Sequence, residues 1–115
     1  MTATRLPITI EQGSDFELVV TVVGGPSDLT GYTGSMQIRS VKSSTTVLYS
    51  VPQNKISVNN SVRQVTVTLP WTETVDWTWD GGVYDLVITS ADEVDAWRLV
   101  EGRVTVDHSV TRAAA

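Results

Sequence analysis

The sequence contains no cysteine, one histidine and one phenylalanine, and only 18% of its 115 residues are charged. Without cysteine there is no disulfide framework, no thiolate zinc or iron–sulfur site and no thiol nucleophile. His108 stands between Asp107 and Ser109. Neighbouring residues in a strand point to opposite faces, so His108 and Asp107 cannot stack as a dyad by themselves, and a surface histidine is expected. No G-x-S-x-G elbow is present, and no G-K-[ST] follows Gly24-Gly25-Pro26. No apolar run approaches the roughly 20 residues of a membrane helix. The first residues, with one Arg and an early Glu11, are too short and too polar for a signal peptide. A net charge of -5 disfavours nonspecific nucleic-acid binding, which depends on clustered Lys and Arg. No cofactor or metal is expected, and an enzyme is the least supported reading.

What is present is valine and threonine, 19 and 16 of them. β-Branched residues suit a pleated, half-buried surface and are stiff in helices. Alternation agrees. Phe16, Leu18, Val20 and Val22 share one parity, as do Val65, Val67 and Leu69, and Tyr84, Leu86 and Ile88. Turn signals separate the runs: Gly13-Ser14-Asp15, Gly24 to Gly31, Asn59-Asn60, Asp80-Gly81-Gly82 and Ala91 to Asp95. Strands are expected near 6–12, 15–23, 33–40, 46–52, 55–58, 62–69, 83–90 and 96–107. Length admits one domain. The expected fold is all-β, an immunoglobulin-like antiparallel β-sandwich of seven or eight strands. An N-terminal arm (1–7), the sandwich (8–112) and a frayed tail (113–115) complete the division.

The last expected strand changes phase. Trp97 and Leu99 share one parity, Val104 and Val106 the other. Gly102 marks a β-bulge at Glu101-Gly102; a strand buried on both faces in its middle is the alternative. The one candidate helical turn is Trp71 to Trp77. Pro70 suits its first turn, and Glu73 and Asp76 are expected near its start, where the helix dipole favours acids.

The candidate interface is Trp71, Trp77 and Trp79, three tryptophans within nine residues. They fit a core plug, a protein interface or a sugar-stacking platform. Trp97 is expected in the core. The acids Asp92, Glu93 and Asp95 lack the pattern of a calcium loop and read as a solvated hairpin tip. The basic set is Arg-rich, which suits ion pairs within or between subunits.

Four segments carry a resemblance. They are Ile10-Glu11-Gln12-Gly13-Ser14-Asp15-Phe16; Asp28-Leu29-Thr30-Gly31-Tyr32-Thr33 with Met36-Gln37-Ile38-Arg39; Gly82-Val83-Tyr84-Asp85-Leu86; and Arg98 to Val106, ending in Val110-Thr111-Arg112. In this order they resemble small tailed-bacteriophage proteins. They are similar to the immunoglobulin-like N-terminal domain of phage baseplate upper proteins. The segments read as fold devices. Gln12 to Asp15 would be a tight turn letting two strands pair. Asp28 would bond its own turn while Leu29 and Tyr32 enter the core. The resemblance implies a virion structural protein without catalytic residues, made in the bacterial host cytoplasm. In baseplate upper proteins the domain continues into a fibre, whereas this sequence ends at Ala115. The expectation is therefore a tail, baseplate or collar adaptor or fibre-attachment subunit. A capsid decoration protein and a carbohydrate-binding module are the alternatives. Expected partners are other virion proteins (tail, portal-neck or capsid subunits) in many symmetric copies. Nucleic acid and membrane are not expected partners, and a glycan fits only the tryptophan platform.

Overall fold

The computed structural model describes residues 3–110. Its strands are β1 (Thr4–Arg5), β2 (Ile8–Glu11), β3 (Phe16–Thr21), β4 (Thr33–Arg39), β5 (Val47–Ser50), β6 (Ile56–Asn59), β7 (Gln64–Leu69), β8 (Gly81–Thr89) and β9 (Ala96–Asp107). One short helix, α1 (Trp71–Thr74), joins β7 to β8. The Val- and Thr-rich alternation becomes buried–exposed alternation. In β8, Tyr84, Leu86 and Ile88 point inward, and in β7, Val65, Val67 and Leu69 do. No helix among the described residues is long and apolar enough to cross a membrane.

The strands form two sheets packed as a sandwich. One sheet runs β5-β4-β8-β9, with β1 and β2 both on the far edge of β9; the other runs β3-β7-β6. Between the sheets lie Ile10, Met36, Ile38, Val65, Val67, Leu69, Leu86 and Ile88, all at most 1% exposed. Burying each such side chain contributes roughly 1.5–3 kcal/mol. The sheets approach closely at Gly34, where a Cβ would run into the Ile56 side chain.

Four expectations need correction. First, the sandwich is not wholly antiparallel, because β1 and β2 pair parallel with β9. The register is the same on both sides of Pro7, whose missing N–H and fixed φ interrupt one longer edge strand. Second, residues 4–7 of the expected arm are therefore not a free extension, and Leu6 N–H donates to the Glu101 carbonyl at 2.8 Å. Third, the Gln12 to Asp15 turn does not pair the strands it joins. It carries the chain from β2 in one sheet to β3 in the other. Fourth, the slip in β9 lies at Leu99-Val100. Leu86 faces Val100 while Val87 faces Arg98, leaving Leu99 as the extra residue. Leu99 and Val100 are both buried, so the bulge and the doubly buried middle are one feature. The tail 113–115, and Thr111-Arg112 before it, lie outside the described residues.

The Asp28 turn forms as expected. Thr30 N–H donates to Asp28 Oδ1 at 2.9 Å, and Leu29 is 1% exposed. Tyr32 packs partly buried against the core. Helix α1 takes Pro70 as its N-cap and Glu73 in its first turn. Asp76 falls beyond its end, so only one of the two acids meets the positive end of the dipole.

Candidate functional site

The tryptophan-rich segment closes one end of the sandwich, and one buried polar residue holds it there. Gln12 is 7% exposed. Its Nε2 donates to the carbonyls of Thr74 (2.9 Å), Val75 (3.1 Å) and Trp77 (2.9 Å). The Thr74 carbonyl, the last of α1, also accepts from Trp77 N–H at 3.0 Å, and those of Val75 and Trp77 lie past the helix end, where carbonyls lack intrahelical partners. Next in sequence, Gly13 N–H donates to Thr74 Oγ1 at 3.1 Å, and that hydroxyl donates to the Trp71 carbonyl at 3.2 Å. Asp15 Oδ1 accepts from Trp71 N–H at 2.9 Å. The β2–β3 turn thus serves as a capping device for α1.

The three candidate tryptophans do not form one surface. Trp77 is 9% exposed and belongs to the core. Trp79 is half-buried and stacks on Trp77, with centroids 4.5 Å apart and planes 26° apart. Trp71 is 42% exposed. The stack continues to Tyr49 on β5, 4.9 Å from Trp77 and tilted by 56°. Tyr49 Oη donates to Glu73 Oε1 at 2.8 Å. Burial, then the adjoining Glu73 carboxylate, hold the Tyr49 phenol above its ordinary value. No sequence signal singled out Tyr49, which sits in a short edge strand far from the tryptophans in the chain. Trp97, expected in the core, is half-buried and packs against its margin.

His108 has an acidic partner, but not its sequence neighbour. Its Nε2 lies 2.9 Å from Asp80 Oδ1, and its Nδ1 lies 3.1 Å from Gln12 Oε1. Three carbonyl acceptors around Nε2 fix the orientation of the Gln12 amide. Gln12 Oε1 therefore accepts, and Nδ1 carries a proton. The Asp80 carboxylate accepts as well. One ring nitrogen thus ties the end of β9 to the β7–β8 connection and the other ties it to the β2–β3 turn. A shallow depression of about 570 Å³ lies beside this tie, lined by Gln12, Val75, Asp76, Trp77, Asp80 and His108. Its chemistry is polar and acidic.

The Asp92, Glu93, Asp95 tip folds on itself. Asp92 Oδ1 accepts from Ser90 Oγ at 2.6 Å and Val94 N–H at 3.1 Å. These two bonds, the hydroxyl first, hold the Asp92 carboxyl below the ordinary range. No group of three His, Cys, Asp or Glu among the described residues is placed to hold a metal. No protein-family model matches the chain, and no curated protein matches it significantly.

Proposed function

We propose that this protein is a structural component of a tailed-bacteriophage particle, working through protein–protein contacts as a tail, baseplate or collar adaptor or fibre-attachment subunit. The observation that carries this reading is the ordered set of four segments resembling the baseplate upper-protein domain. Those segments occupy the inter-sheet turn at Gln12, the Asp28 turn and the paired centres of β4, β8 and β9. They are the parts that define the sandwich, so they support relatedness of scaffold more than of any reactive group. Support for a contact role comes from the exposed Trp71 and from the Arg-rich outer face of the larger sheet. The glycan reading loses support because Trp77 is buried and Trp79 is engaged in stacking.

Quantitative mass spectrometry on separated heads and tails of the encoding particle tests the proposal. A small multiple of three, six or twelve copies on tails is the expected result. Copies in the hundreds on heads would instead identify a capsid decoration protein. Absence from both would sink the particle reading.

A further inference from the structure

Charge is segregated on this molecule. Seven Lys and Arg fall among the described residues, and five of them (Arg5, Arg39, Lys42, Arg98 and Arg103) meet the outer face of the five-strand-wide sheet. Two acids neutralise part of this set. Glu101 pairs with Lys42 (3.2 Å) and Arg98 (3.1 Å), and Asp85 pairs with Arg98 (3.4 Å). The groove between these groups holds about 260 Å³. Arg5 and Arg103 are exposed and make no ion pair among the described residues. The outer face of β3, β7 and β6 is unlike this one. Glu17 is the single charged residue of its strands, amid Val19, Thr, Ser, Asn and Gln.

The same face carries an uncompensated negative pair at its lower end. Glu11 and Asp107 are direct partners across β2 and β9, both exposed, and neither forms an ion pair among the described residues. Like charges directly opposite in a sheet repel. Arg103 and Asp107 lie four residues apart on one strand, so both side chains face outward about 13 Å apart. Between them is Thr105, beside Thr9 on β2, both small and uncharged.

This spacing is self-complementary. We infer that the outer face of the larger sheet is a two-fold docking surface for a second copy of this chain, stacked antiparallel about Thr105. Arg103 of each copy then meets Asp107, beside Glu11, of the other. The rotation forms the contact twice, as an isologous interface requires. It brings a counter-charge to the Glu11–Asp107 pair and to Arg103 in one step. Val83, half-buried and paired with Arg103, supplies apolar area next to the axis. The inference goes beyond the particle reading and does not depend on it, because dimerisation is measured on the purified protein alone.

Sedimentation equilibrium at low and high salt tests it. A dimer is expected at low salt, weakening as salt rises, because salt screens exposed ion pairs and the longer-range attraction between the two faces. Arg103→Asp or Asp107→Arg alone should lower association at least roughly tenfold. Both side chains are exposed, and unchanged thermal unfolding of the monomer confirms that each variant folds. The double variant, with both reversals in one chain, should restore the dimer. A wild-type monomer at low salt, a dimer indifferent to either single reversal, or a double variant that stays monomeric would each overturn the inference.

Discussion

Tyr84 and Gly102 face each other across β8 and β9, and the backbone of Leu6 fills the space that a larger residue at 102 would need. A Cβ on Gly102 would lie 2.5 Å from the Leu6 carbonyl oxygen. That same oxygen accepts the Tyr84 hydroxyl at 2.7 Å. The glycine admits the N-terminal edge strand, and the tyrosine fastens it where Pro7 breaks the ladder.

Gly102→Ala should therefore loosen β1 and β2 as a unit. The clash is with backbone rather than a movable side-chain tip, so the expected cost is about 1–3 kcal/mol. Tyr84→Phe removes one hydrogen bond and should cost about 1 kcal/mol. Hydrogen exchange at residues 4–11 should rise in both variants while β7 stays protected. Equal loss of protection in both sheets would show that this contact has no local role.

Gln12 should matter more than any other polar side chain described above. Gln12→Ala removes the side-chain donor to the Val75 and Trp77 carbonyls and the partner of the His108 ring, while the Thr74 carbonyl keeps only Trp77 N–H. Lost bonds to buried groups make the expected destabilisation about 2–4 kcal/mol. The Trp77–Trp79 stack lies against the freed segment, so near-ultraviolet circular dichroism should change as well. Chemical denaturation of the variant with a wild-type midpoint would refute the clamp.

Gln12 also marks the limit of what the sequence discloses. Period-two alternation is a local signal, and it located β3, β7, β8 and β9 closely. The clamp joins residues 62 to 65 positions apart, and a lone Gln beside Gly13 reads as an ordinary turn residue. His108 and Asp80 lie 28 positions apart and carry no shared pattern either. Gly102 misled for a physical reason. A glycine in a strand marks either a bulge or a close backbone approach. Here it marks the approach of Leu6, while the bulge lies at Leu99, whose burial beside Val100 hides it in an apolar run. The turn at Gln12 to Asp15 has the same look whether its strands pair or part. Only the partners of β2 and β3 decide that, and these are β9 at the far end of the chain and β7 near its middle.

Stability should fall at both ends of the pH scale. The Asp28 carboxyl is held below its ordinary 3.8 chiefly by the Thr30 N–H, and Glu101 below its ordinary 4.5 chiefly by Lys42. Groups with depressed folded values stabilise above the unfolded value and lose that contribution as pH falls through the folded one. The melting temperature should therefore decline below about pH 4. Burial pushes Tyr84 up from 10.0 to about 12. A raised folded value gives the opposite sign. Its contribution is complete below pH 10 and is lost as pH rises through about 12. Tyr84→Phe should flatten this alkaline limb and leave the acid limb unchanged. An unchanged alkaline limb would assign it to other groups.

Trp71 and Trp77, six residues apart, should separate contact from core. Trp77 is 9% exposed, stacked between Tyr49 and Trp79, and its carbonyl is held by Gln12. Trp77→Ala should cost about 3–5 kcal/mol, the range for truncating a large buried aromatic. Trp71 is 42% exposed, and its structural hydrogen bonds come from its backbone N–H and C=O, which alanine also provides. Trp71→Ala should therefore shift unfolding by less than about 1 kcal/mol. A side chain that costs little to remove from the folded chain, yet is large, aromatic and exposed, is poised to act at a partner. On the proposed particle role, incorporation of Trp71→Ala protein into particles, measured against wild type, should fall although the domain stays folded. Equal incorporation would move the contact away from α1.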